Sequence, residues 1–221
     1  MYKQLLRRNA LSLLFLFCGI LLPLLILGSL TAQVRGNQLV PGDIAGLHFV
    51  HRYSTAERDK LVAFATIAGG LIALPGICTV IVGLRFLKQA ESALFFAVTV
   101  VGAWGLNLLA KVCFQRARPT LWQSPTPRSD YSFPSGHAMI SMAIAVCFII
   151  IAWPTRSRWL AFSCGSLGTL VIGLSRLYLG VHFPSDVIAG WCAGLLWTMG
   201  VYWILRRNSS LALINTSSTS P

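Results

Sequence analysis

The chain has 221 residues, of which 55% are hydrophobic and only 11% charged, and its formal net charge is +12. A soluble domain carries about 25% charged residues, so the composition excludes an ordinary soluble globule and fits a membrane protein. The basic residues sit at the ends of apolar runs instead of forming an arm or a patch, which excludes nucleic-acid binding and leaves a membrane surface and an anionic ligand as partners.

Six runs free of charged residues follow in chain order: 9–34, 61–84, 92–110, 138–155, 159–175 and 187–205. A membrane-crossing helix needs roughly 17–25 residues at 1.5 Å rise, and all six satisfy this. Their length and lack of strict alternation exclude strands. The expected fold is all-α: one polytopic bundle of six transmembrane helices over 1–207, followed by a disordered tail over 208–221. The first run follows a basic flank of Lys3, Arg7 and Arg8 and ends near Ser29–Ala32. It is longer than a signal-peptide core and reads as an uncleaved span.

The connections alternate in character. Segment 31–60 is long and polar, with Gly36, Pro41, Gly42, His48 and His51. The two histidines read as part of an interfacial amphipathic piece with Phe49 and Tyr53. Segment 85–91 is a short basic turn, 111–137 a long loop rich in Arg, Pro and Ser, and 154–158 a second short basic turn. Pro23 and Pro75 read as kinks. Asn107 reads as an interhelical hydrogen-bonder, and Trp122, Trp153, Trp159 and Trp203 as interfacial anchors. The six cysteines have neither Cys-x-x-Cys nor metal-ligand spacing and read as small buried apolar residues with free thiols.

By parity, both termini and the two short basic turns share one side, and the 31–60, 111–137 and 176–186 segments share the other. The totals of lysine and arginine tie, so placement decides. The short loops with basic residues close to span ends, and the flank ahead of the first run, put both termini in the cytoplasm. The expected location is the bacterial inner (plasma) membrane, with the long loops on the periplasmic or exterior side.

Three motifs fall on that outer side. The third run ends in Lys111 through Arg118-Pro119, the fourth begins at Pro134-Ser135-Gly136-His137, and the hinge between the last two holds Ser175, Arg176, His182 and Asp186. Ionisable groups at membrane depth are costly and point to function. Lys111, Arg118 and Arg176 supply three cations for phosphate oxygens, the arginines as bidentate forks. Ser135 and Gly136 stand where a helix starts, with free N–H groups and the positive end of the dipole. An imidazole's unperturbed pKa near 6.5 suits a nucleophile or a general acid, which makes His137 and His182 candidates for those roles. Asp186 can accept the Nδ1–H of His182 and leave Nε2 free to attack. No carboxylate cluster suited to magnesium accompanies them, which implies metal-free phosphoryl chemistry with no cofactor. From average residue usage, Ser-Arg-x5-His-x3-Asp alone arises by chance in roughly one chain in a thousand of this length.

The three motifs together resemble those of the type 2 phosphatidic acid phosphatase superfamily, related to vanadium haloperoxidases. The resemblance covers 111–186 at motif level, with no departure at the motif positions. It implies a phosphohistidine on His182, oriented by Asp186, with His137 protonating the leaving group. It implies phosphate binding by Lys111, Arg118, Ser135, Gly136 and Arg176. The expected activity is hydrolysis of a lipid phosphate or diphosphate, with undecaprenyl diphosphate, phosphatidic acid and phosphatidylglycerol phosphate as candidates. Transfer of the phosphoryl group to a second lipid is the alternative, and a lipid-phosphate transporter a more distant one. Arg116 and Arg128, close to the site but off the motifs, read as solvated loop charges.

Overall fold

The protein is described by a computed structural model covering residues 16–36, 40–127 and 129–217, with side chains given outside 67–75 and 207–217. The basic flank of the first run and Arg128 lie outside the described residues. Every element among the described residues is helical. A π-helical turn, Phe17–Leu21, runs directly into α1 (Leu22–Arg35). Pro23 in the first turn of α1 cannot donate to the helical ladder, so the wider turn falls just ahead of it.

Six helices follow: α2 (Asp43–His51), α3 (Ala56–Phe86), α4 (Ala90–Phe114), α5 (Gly136–Ala152), α6 (Arg158–Tyr178) and α7 (Pro184–Ser217). All six apolar runs are helical where described, except that the fourth gives way to a turn over 153–155. Among the described residues, four helical spans combine membrane length with apolar composition: Phe17–Arg35, Ala90–Phe114, Arg158–Tyr178 and Pro184–Arg206. The fourth run forms α5, which is apolar but has only 17 residues. The second lies within the 31-residue α3. The last helix continues through Ser217, into the stretch expected to be a tail.

Helix ends follow from local chemistry. Thr55 caps α3 by accepting from the Arg58 N–H at 3.3 Å, with Glu57 and Asp59 in the first turn beside the positive dipole end. α4 stops where Gln115 adopts a left-handed conformation, φ 47°, which turns the chain into the long loop. α7 opens on Phe183-Pro184-Ser185-Asp186. Pro184 sits where a missing N–H costs nothing, and Asp186 reaches back to accept from the Phe183 N–H at 2.8 Å.

α5 lies in the middle, packed against α4, α6 and α7. Its seam with α7 is made by two glycines. A Cβ at Gly190 would stand 2.6 Å from the Ser135 carbonyl, and one at Gly194 2.4 Å from that of Met139. This small-xxx-small pairing lets the two backbones approach closely. Phe95, Phe96, Val100, Cys147 and Val201 fill the core between α4, α5 and α7. Trp197 closes it by donating to the Thr99 carbonyl at 2.9 Å.

Outward faces carry exposed Leu25, Phe64, Trp104, Leu170 and Trp203, as apolar surfaces in contact with acyl chains do. Two expectations change here. Only Cys147 and Cys192 are buried; Cys18, Cys78, Cys113 and Cys164 are free thiols on outward faces, where an apolar helix surface accommodates them without burial. Trp153, Trp159 and Trp203 are exposed, but Trp122 packs inward. It stacks on His51 with ring centroids 3.9 Å apart and covers Gly180. The two rings and the small glycine make a closer partnership than an interface would offer Trp122.

Candidate active site

The three motifs meet at one end of the bundle. The Ser135 N–H donates to the Asp186 carbonyl at 3.0 Å, which ties the start of α5 to the start of α7. Ser135 is fully buried, and its hydroxyl has no hydrogen-bond partner among the described residues. A buried hydroxyl in that condition has hydrogen-bonding capacity left unused. Gly136 owes its lack of a side chain to a neighbour: a Cβ there would stand 2.8 Å from Asn107 Oδ1. Asn107 in turn donates to the Pro134 carbonyl at 3.1 Å, so it steadies the turn that begins α5 instead of simply joining two helices.

His182 is almost fully buried between α6 and α7. Its ring nitrogens face different surroundings. Nδ1 lies 3.6 Å from Asp186 Oδ2 and 3.4 Å from Ser132 Oγ, and Ser132 donates to that same carboxylate oxygen at 2.5 Å. At 3.6 Å the histidine and aspartate are too far apart to hydrogen-bond directly. Ser132, which the sequence did not single out, bridges them. Nε2 points to the other side and sits 3.2 Å from Arg118 Nη1. An N–H of Arg118 can only donate, so Nε2 presents its lone pair and Nδ1 carries the proton.

A cavity of about 60 Å³ opens on the Arg118 side. It is lined by Lys111, Arg118, Asp130, Gly136, His137, Arg176, Val181 and His182. Six of the eight expected site residues thus share one cavity; Ser135 and Asp186 lie behind it. At about twice the ~30 Å³ share of a water molecule, it suits a small polar head and not an acyl chain. Arg176 is buried and donates to Thr66 Oγ1 on α3 at 2.5 Å and to Ser175 Oγ at 2.9 Å. Arg118 is fixed by the carbonyls of Asp130 and Val181.

Asp130 is the unexpected member. Its carboxylate pairs with Lys111 and, at 2.8 Å, with Arg118. Burial alone would raise its pKa. The hydrogen bond from Lys111 and the charges of Arg118 and Lys111 outweigh that and hold it at about 2, below the usual 3.8. For His182 burial dominates in the other direction. It pushes the imidazole below the ordinary 6.5, the charges of Arg118 and Lys111 push the same way, and Asp186 opposes.

Arg116 corrects the sequence reading outright. Its side chain is only 11% exposed and bridges two buried carboxylates, Asp186 at 2.5 Å and Asp43 at 2.7 Å. It also donates to Ser185 Oγ at 2.7 Å and lies over the Phe183 ring at 4.3 Å. A short loop residue next to a motif looks solvated in sequence because its partners are distant. Arg128 lies outside the described residues.

Comparison with known proteins identifies the family. The family model described as PAP2 superfamily matches residues 91–210, more than half of the chain. An undecaprenyl-diphosphatase of Sulfolobus acidocaldarius is 28% identical over 181 residues, 79% of this chain and 84% of that protein. Phosphatidylglycerophosphatase B of Bacillus subtilis is 27% identical over 173 residues, 66% of this chain and 83% of that protein. Among solved structures, the transmembrane PAP2-type phosphatidylglycerolphosphate phosphatase of Bacillus subtilis superposes with a TM-score of 0.75 at 23% identity, covering 85% of this chain and 96% of that one. Aquifex aeolicus LpxE gives 0.60 at 21% identity, covering 74% and 96%. The chain belongs to the PAP2 superfamily, as an integral membrane protein of its phosphatase class.

Proposed function

We propose that the protein removes a terminal phosphate from an amphiphilic lipid phosphate or diphosphate, using His182 as the nucleophile. The observation that carries this is the division of the His182 ring, with Nδ1 toward Ser132 and Asp186 and Nε2 toward the basic cavity. Arg118 turns from Nε2 to the phosphate oxygens as the substrate enters. The Nε2 lone pair attacks phosphorus, a P–N bond forms, and the P–O bond to the lipid breaks. The leaving oxygen takes a proton from the His137 imidazolium. Water then attacks the phosphohistidine and returns a proton to His137. The P–N bond breaks and inorganic phosphate leaves. While phosphorylated, the His182 ring is cationic, and Asp186 stabilises that charge. Lys111, Arg118, Arg176, the Ser135 hydroxyl and the N–H groups at the start of α5 stabilise the phosphoryl oxygens.

Because the cavity accepts only the head, the lipid tail lies outside it, along the apolar helix faces. The bundle crosses the membrane six times, with both termini in the cytoplasm and the site toward the exterior. Undecaprenyl diphosphate and phosphatidylglycerol phosphate lead the substrate candidates on the names of the relatives, with phosphatidic acid beside them.

Purified protein in detergent is expected to release inorganic phosphate from at least one of these three lipids without added metal, because three cations are already built into the site. Vanadate inhibits, and His182→Ala lowers kcat on the order of 10³-fold or more. Near wild-type turnover by His182→Ala would falsify the mechanism. Phosphate loss that requires an acceptor lipid would make the protein a phosphotransferase with the same nucleophile.

A further inference from the structure

We infer that Asp43 and Arg116 form a positioning relay that holds Asp186, and through it His182, in working geometry; this rests on the reading of His182 as the nucleophile. The connection between α1 and α3 thereby contributes to a site whose motifs all lie beyond residue 110.

The contacts are continuous. Asp43 is 2% exposed at the start of α2. Its Oδ1 accepts from the Ser185 N–H at 2.9 Å, and its Oδ2 from the Ser185 hydroxyl at 2.6 Å and from Arg116 at 2.7 Å. Asp43 thus caps the first turn of α7 from another part of the chain. Gly46, one turn further along α2, packs against Pro184, where a Cβ would meet the ring at 2.8 Å. Arg116 carries the restraint onward by donating to Asp186 Oδ1. The other carboxylate oxygen, Oδ2, is the one that faces Ser132 and His182. Oδ1 therefore serves the anchor to Arg116, while Oδ2, which also accepts from the Phe183 N–H, is the oxygen that faces the imidazole.

Charge gives the relay a second effect. Two buried carboxylates share one guanidinium, so Arg116 neutralises Asp186 only in part, and Asp43 sets how much of its charge is left over. The ionisable groups facing His182 are Asp186 from α7, Arg118 and Asp130 from the long loop, Lys111 from the end of α4, His137 from α5 and Arg176 from α6. Neither Asp43 nor Arg116 is in the cavity lining. Their effect on His182 passes through Asp186.

The test is steady-state kinetics on the full-length protein in detergent, with the best lipid phosphate of the panel and thermal unfolding of each variant. In the wild type the lowered His182 pKa keeps the imidazole neutral to lower pH, so the acid limb of kcat/KM lies below 6.5. Arg116→Gln leaves Asp186 less neutralised and better able to favour the imidazolium. It is expected to lower kcat on the order of 10²-fold, with KM within about threefold of wild type because no cavity residue changes, and to move the acid limb to higher pH. Asp43→Asn leaves more of the Arg116 charge acting on Asp186. It is expected to lower kcat about tenfold and to move the limb to lower pH. Arg116→Lys, which keeps the charge but cannot reach both carboxylates, falls between Arg116→Gln and wild type.

A merely structural role would reduce activity without opposite limb shifts. Folded variants with kcat within about twofold of wild type, or limbs that stay put or move together, overturn the relay. Should Arg116→Gln not fold, Asp43→Asn decides by the direction of its limb. The relay and the functional reading fail in different ways. If His182→Ala is as active as wild type, the nucleophile assignment is wrong. If His182→Ala is inactive while Arg116→Gln and Asp43→Asn behave as wild type, only the relay is wrong.

Discussion

Asp130 pairs with two of the three cations proposed to hold a phosphate, Lys111 and Arg118. With its pKa held at about 2 the carboxylate stays ionised near neutral pH, so on the proposed function it would compete with a phosphate for these cations, and protonation would not relieve the competition. The residue is half-exposed, so its attraction for the cations is screened and modest. Asp130→Asn is therefore expected to lower KM for a lipid phosphate about fivefold and to tighten vanadate inhibition in parallel. A rise in KM would mean instead that Asp130 orients Lys111 and Arg118 for the substrate. None of this was legible in sequence, because Asp130 lies among prolines and serines with nothing to distinguish it from a solvated loop acid. Lys111, Arg118, His137, Arg176 and His182 were legible, since each residue type has a distinct use for phosphate and their spacing is rare. The pairing of Arg116 with Asp43 is not legible in the sequence, because it spans the distance between two loops. A charge reveals its partner in sequence only when the two are neighbours on one element.

At the scale of the element, the glycine seam between α5 and α7 sets the distance between two of the motifs. Gly190 faces the backbone of Ser135, the residue whose N–H holds the Asp186 carbonyl. Any side chain at 190 meets main chain and cannot turn aside. Gly190→Val is expected to cost about 1–3 kcal/mol of stability through overpacking. It should also lower kcat well beyond the fraction unfolded, because it parts Ser135 from Asp186. Thermal unfolding in detergent beside kcat at a fully folded temperature checks both. Wild-type kcat with reduced stability would show that the seam serves packing alone. The six helical runs were readable from their length and lack of charge. The π-turn ahead of Pro23, the break of α4 at Gln115 and the separate α2 were not. These depend on hydrogen bonds and backbone angles that hydropathy does not encode.

At the scale of the whole molecule, the proposed crossing number and the side of the site are open to direct measurement. In a cysteine-free background, Glu57→Cys lies at the start of α3 and Ser157→Cys just ahead of α6. Six crossings with cytoplasmic termini put the first outside and the second inside. A membrane-impermeant maleimide should label Glu57→Cys in intact cells and Ser157→Cys only after permeabilisation. The reverse pattern would invert the topology, and labelling of both in intact cells would break the parity.

The Asp43–Arg116–Asp186 bridge also bears on how the protein is made. The ribosome delivers its members in chain order, with Asp43 first, Arg116 next, and Ser185 and Asp186 last. Until α7 arrives, Arg116 has Asp43 alone, and Asp43 lacks both donors of Ser185. Buried ions left short of partners are costly, so the final helix is what makes the earlier charges tolerable. A nascent chain that ends before α7 carries that deficit openly.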